Sequence, residues 1–257
     1  MPSPTPRGYT TFPSSADLFY FCTTSSTSEE DLNIHYAPPS KSSLKIGVLI
    51  FGNDQIQLMD LAVIDLLAKI GRNRISRLNA SDVACDEAVD ELDIRYVNES
   101  GEGSFAITSG ARMPVTNSFE DAPKFDILVI PGSFSASELS VSATTFLASQ
   151  SSSSEMTAIF CVSSGILRLA QSGVLYQKRA TGPPSLLRLL RQRYPDTLWQ
   201  NSAWTRHDHL WSSTSAISAL EMVAAWMREY FWDRSEAVRC ALTAAGISPL
   251  DEDEERL

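Results

Sequence analysis

The sequence predicts a doubly wound α/β domain: one mostly parallel sheet with helices on both of its faces. Three segments, "LKIGVLIF" (44–51), "FDILVIPG" (125–132) and "MTAIFCV" (156–162), are continuously apolar rather than alternating. That pattern suits strands buried on both sides. Segments of helical spacing separate them, and strand–helix alternation is the signature of a parallel sheet. A chain of 257 residues that is 43% hydrophobic can bury one large core and still carry tails.

In chain order, residues 1–43 are rich in Ser, Thr and Pro, with "DLFYF" as an apolar patch, and are expected to form a disordered extension. The domain is expected over 44–245. After the first strand, "QLMDLAVIDLLAKI" (57–70) places Leu61, Ile64, Leu67 and Ala68 on one helical face. A polar connector (71–92) leads to the strand "DIRYVNES", and "SFAITSGARMPV" alternates like a hairpin or edge strand. "SELSVSATTFLASQ" is expected as a helix. So is "GILRLAQSGVL" (165–175), with Gly173 as its C-terminal glycine. "PSLLRLLRQRY" has proline at its start, as short helices often do. "LWQNSAWTRHDHLWSST" suggests a hairpin turning at His207-Asp208-His209, and "AISALEMVAAWMREYF" a long closing helix. The run "DEDEERL" ends an acidic tail, 246–257.

A net charge of −10 argues against nucleic acid and anionic membranes as partners, because phosphate binding needs clustered Lys and Arg. No stretch of about 18 apolar residues marks a membrane span, and no basic, apolar leader opens the chain. The four cysteines lack CxxC or Cys/His metal spacing, consistent with reduced thiols and a cytoplasmic location. Neither metal nor cofactor is called for. The "HDH" triplet is expected as surface turn residues, since metal sites need more ligands than one i,i+2 pair.

The most informative stretch is "IFCVSSGILRLAQSGVL" (159–175), an apolar strand, a turn of small residues and a helix. Such an elbow presents a nucleophile in many α/β enzymes. It offers Cys161, Ser163 and Ser164.

Taken together, "GVLIF…QLMDLAVIDLL", "FDILVIPG", the elbow with "GVLYQKRATGP", and "AWTRHDHLWSSTSAISALEMVAAWM" resemble, in that order, the DJ-one/ThiJ/PfpI family. The resemblance covers about residues 44–240 and is nearest to the isonitrile hydratase branch. It implies a flavodoxin-like, class I glutamine amidotransferase-like fold. Anchoring on "SGVLYQKRAT" and counting back puts the family's cysteine position at Ser163, with Ser164 and Gly165 in its Thr and Gly positions. Cys161 falls in the strand. Asp60 matches the aspartate that the hydratase branch uses beside its cysteine, and Asp65 lies near an acidic position of other branches. The chain also departs from the family. "RATGPP" lacks the histidine that often follows the elbow helix, and Thr214, Ser215 and Ala219 stand where glycines are common. The resemblance further implies a homodimer, for which the apolar surface of the last helices would suit a partner.

The chemistry changes with the residue at the apex. A cysteine at a helix N-terminus yields a thiolate near neutral pH, whereas a serine needs an adjacent base. The expected catalytic pair is therefore Asp60 as general acid/base and Ser163 as an orienting group. Ser164, Gly165, Gly132, Ser133 and Asp65 are expected around a small-molecule substrate. Covalent and silent roles for Ser163, and a helix-capping role for Asp60, stay open here. Two functions follow: a hydratase- or lyase-type enzyme acting on a small electrophile, or a non-catalytic relative that binds or regulates through the retained pocket.

Overall fold

The computed structural model describes residues 39–52, 55–133 and 137–247. The central sheet has seven strands: β1 (Ser43–Leu49), β2 (Glu91–Asn98), β5 (Asn117–Ser118), β6 (Ile127–Ile130), β7 (Ala158–Cys161), β10 (Trp204–His207) and β11 (Leu210–Ser213). They lie in the order β10-β11-β7-β6-β1-β2-β5, all parallel except the β10–β11 hairpin. The remaining strands form two small pairs. β3 (Ser104–Ala106) and β4 (Arg112–Pro114) make the expected antiparallel hairpin, and β8 (Arg179–Ala180) pairs in parallel with β9 (Leu198–Trp199).

Eight α-helices complete the described residues: α1 (Ala62–Ala68), α2 (Arg72–Ile75), α3 (Asp82–Glu87), α4 (Val141–Ser151), α5 (Ile166–Gln171), α6 (Pro184–Arg193), α7 (Ala216–Tyr230) and α8 (Ser235–Ala244). The continuous apolar runs are explained by two cores, one on each face of the sheet. In β6, Ile127 and Val129 enter one core, and Leu128 and Ile130 the other. In β7, Ala158 and Phe160 face the first, and Ile159 and Cys161 the second. Strand periodicity thus sends successive side chains into opposite oily layers.

Several sequence expectations change. The domain reaches further at both ends than 44–245. Ser40 is buried and its N–H donates to Asp233 at 3.1 Å, while Lys41 pairs with Asp126 at 2.6 Å. At the other end, Gly246 has φ of 74° and Ile247 N–H donates to Leu242 O at 2.9 Å, a glycine stop for α8. Residues 1–38 and 248–257 of the expected extension and tail lie outside the described residues. The polar connector holds two short helices, α2 and α3, the latter capped by Ser81 Oγ accepting from Ala84 N–H at 3.2 Å. Leu198 and Trp199 belong to the β8–β9 pair, not to the final hairpin. The apolar faces of α7 and α8 are spent in the core, where Met222, Trp226, Met227, Val238 and Leu242 are buried.

Candidate active site

The carboxyl ends of β1, β6 and β7 meet at one end of the sheet, where ligands bind in doubly wound folds. After β1 the chain returns through Ile56, whose backbone bonds to the β3–β4 hairpin in both directions, at 3.0 Å to Ala106 O and 3.0 Å from Thr108 N. A 3-10 turn, Leu58–Leu61, follows. Its first N–H, on Leu58, donates to Thr108 Oγ1 at 3.0 Å.

Asp60 sits inside that turn and is 1% exposed. It does not cap α1. Its carboxylate Oδ2 instead accepts the Gly132 N–H at 2.7 Å, across the gap to the end of β6. Burial pushes its pKa up to about 6, and the Gly132 N–H holds it from rising further. Oδ1 is left as the oxygen available for proton transfer.

Gly132 is fixed from both sides, because its carbonyl accepts Gln57 N–H at 3.2 Å. A Cβ at this position would lie 2.4 Å from Asp60 Oδ2 and 2.7 Å from Ser164 Oγ. Only glycine lets the carboxylate and the elbow approach the same point.

The elbow forms as its sequence suggests. Val162 N–H bonds Ile130 O at 3.0 Å, and Ser163 then turns the chain with φ of 52°, a left-handed conformation that a non-glycine residue adopts at a cost. A 3-10 turn, Ser163–Gly165, leads into α5. A side chain at Gly165 would meet Ile130 O at 2.2 Å, so the turn lies hard against the end of β6. Ser164 Oγ donates to Ser133 O at 3.0 Å and is thereby committed to holding the two loops together.

A cleft of about 580 Å³ opens above these residues, within the size range of small-molecule sites. Asp60 and Ser163 both line it, with Gln57, Leu58 and Met59 from the first turn, Thr108 and Ser109 from the hairpin, and Ser215, Ala216 and Ile217 from the start of α7. The structure thus brings the two expected catalytic residues together. Ser164, Gly165, Gly132 and Ser133 underlie the cleft as its scaffold rather than lining it. Asp65 does not line the cleft. Its side chain is 65% exposed and pairs with Lys69 one helical turn on, at 2.9 Å.

Cys161 is fully buried in the β7 strand, and burial pushes its thiol pKa far up, so it is no thiolate. The histidines of the hairpin are far from the elbow. In the parallel β11–β7 pairing, Leu210 stands beside Ile159 and Ser212 beside Cys161, which puts His207 and His209 at the opposite end of the strand. His207 Nδ1 accepts Arg179 N–H at 3.3 Å, and burial lowers the pKa of His209. Among the described residues no three His, Cys, Asp or Glu side chains could hold a metal ion, and no helix is long and apolar enough to cross a membrane.

The sequence reading missed the cleft walls. Thr108 and Ser109 arrive through a long-range hairpin contact that no local pattern announces. Leu58 and Met59 did carry a signal: two apolar residues directly before a buried aspartate, both left exposed. Ser215, where relatives were expected to have glycine, caps α7 in a reciprocal pair with Ser218.

The DJ-1/PfpI family model matches residues 75–229. The chain belongs to the DJ-1/PfpI family. Solved structures share its fold at low identity. A putative transcriptional regulator protein from Vibrio parahaemolyticus superposes with a TM-score of 0.62 at 13% identity, over 80% of this chain and 100% of that one. An AraC family transcriptional regulator from Pseudomonas putida gives 0.60 at 16%, over 78% and 99%. A ThiJ/PfpI family protein from Pseudomonas syringae gives 0.59 at 18%, over 83% and 79%. No curated protein gives a significant match. Family membership and the parallel α/β architecture agree with the expectation from the four sequence blocks.

Proposed function

We propose that this DJ-1/PfpI family protein is an enzyme of hydratase or lyase type, using general acid/base chemistry on a small electrophile. The observation that carries the reading is Asp60, a carboxyl buried at the base of an open cleft with a pKa near 6, close to the working range of a general acid or base. In a water addition, Asp60 Oδ1–H gives its proton to the electron-rich atom of the substrate as water attacks the adjacent carbon. The carboxylate then recovers a proton from the added water. Ser163 orients water or substrate by hydrogen bond. Among the described residues no histidine stands beside it to act as a base, so the reading takes Ser163 as orienting and not covalent. The Ser163 and Ser164 N–H groups open a helical turn, where the first donors lack intrahelical acceptors and favour developing negative charge.

A second reading, binding without turnover, is favoured by the lack of thiolate and histidine among the described residues of the cleft, and by fold neighbours described as transcriptional regulators. On either reading the protein is proposed to be cytoplasmic and homodimeric, with a small molecule as its ligand and neither cofactor nor nucleic acid as partner. NMR-monitored incubation with isonitriles, nitriles and dicarbonyls separates the two. Turnover that falls by two to four decades in Asp60→Asn supports the enzyme. Saturable binding of these compounds without product supports the binder.

A further inference from the structure

Resting on the reading of Asp60 as the acid/base, we propose that the substrate is an uncharged small molecule with an apolar, aliphatic body, and that carboxylates and phosphates are refused. Among the described residues Asp60 is the only ionisable side chain lining the cleft, and no Lys, Arg or His faces it. An anion would therefore enter a site whose one charge is of its own sign, with no cation to offset the loss of water. The N-terminus of the 15-residue helix α7 borders the cleft and would otherwise welcome an anion. Its own capping box occupies it: Ser215 Oγ accepts Ser218 N–H at 3.2 Å, and Ser218 Oγ accepts Ser215 N–H at 3.0 Å.

The walls argue for an apolar body. Met59 is 60% exposed and Ile217 65% exposed, and with Leu58 they flank Asp60 from two separate elements. Large apolar side chains held open beside a buried polar group recover hydrophobic free energy when a ligand covers them. An ammonium group would have to shed its water against this wall, and its one counter-charge has an oxygen already engaged by Gly132 N–H. A neutral molecule meets neither penalty. Its polar end lies at Asp60 and Ser163, its body on Met59 and Ile217.

The test compares hexanamide, hexanoate and hexylammonium by calorimetry and saturation-transfer NMR on the full chain at pH 7. Hexanamide is expected to bind at least tenfold more tightly than either ion. Its Kd should tighten roughly fourfold for each methylene added from butanamide upward, as methylene burial predicts. Met59→Lys should reverse the order of amide and carboxylate. Equal or tighter binding of either ion, a flat dependence on chain length, or no binding of any of the three overturns the proposal. Asp60→Asn keeps the two readings apart. Its amide-over-carboxylate preference should narrow, because the like charge is gone, while the tightening with each added methylene should persist, because the apolar walls set it. A preserved chain-length dependence with unchanged turnover refutes the acid/base role alone, and a lost chain-length dependence with lost turnover refutes the substrate class alone.

Discussion

The buried carboxyl of Asp60 makes stability depend on pH in the direction opposite to that of most aspartates. Its pKa rises from 3.8 to about 6 on folding, because burial disfavours the charged form. The native state therefore binds more protons than the unfolded chain between those two values. Stability from this group is fullest below pH 3.8 and is lost as pH rises through about 6. About two pK units correspond to a penalty of about 3 kcal/mol at pH 7. Asp60→Asn removes the titration and retains a carbonyl oxygen to accept the Gly132 N–H. The free energy of unfolding of Asp60→Asn minus that of wild type should then become more positive by about 3 kcal/mol between pH 3.5 and pH 7. Urea titrations followed by fluorescence of the five tryptophans give both values at each pH, and the difference cancels the acid lability of every other group. Asp65→Asn is the control, expected to change stability by under about 0.5 kcal/mol because its pair with Lys69 is solvent-exposed. A pH-independent difference for Asp60→Asn, or one that falls with rising pH, would refute the burial argument and with it the acid/base assignment.

Other consequences are simpler to check. Gly132→Ala should destabilise by more than about 2 kcal/mol, the scale of overpacking in a closed core, and thermal melts should show it together with loss of any turnover. Ser163→Gly should raise the melting temperature, since about 1 kcal/mol of left-handed strain is relieved. Ser163→Ala should lower turnover only about tenfold, the worth of one net hydrogen bond. A stable mass addition on the Ser163 peptide after mixing with substrate would show a covalent route instead. Wild-type protein should lack thiol-dependent methylglyoxal turnover, because Cys161 is sealed in the sheet and Ser163 forms no thiolate. Ser163→Cys should gain rapid iodoacetamide labelling at the elbow, where the turn into α5 favours a thiolate.

What the sequence made legible follows the range of the interactions involved. β1, β6 and β7 were legible because burial on both faces leaves a continuous apolar run, and that is a local property of each segment. The elbow was legible for the same reason: Val162 to Gly165 are neighbours in sequence. Asp60 was placed in the site by family resemblance, while its residue type and position equally suited a helix cap. Only the bond to Gly132, 72 positions away, separates those roles. Asp65 was named for its nearness to an acidic position of other branches, and the turn of α1 that carries it leaves it exposed beside Lys69 instead of in the cleft. Thr108, Ser109 and Ile217 were invisible, since each reaches the cleft through a separate tertiary contact.

The residues that were legible as a motif and those that were not are joined at Gly132. Its N–H fixes the acid, its carbonyl fixes the turn that carries the acid, and its missing side chain admits Ser164 of the elbow. A thiolate enzyme can rely on the intrinsic acidity of its nucleophile, with the helix terminus lowering it further. The Ser163 hydroxyl offers no such acidity, and on the proposed acid/base reading chemistry at this elbow depends on how firmly Asp60 is held and how dry it is kept. On the acid/base reading proposed above, the same burial that raises the Asp60 pKa suits it to act as an acid and costs the fold stability at neutral pH.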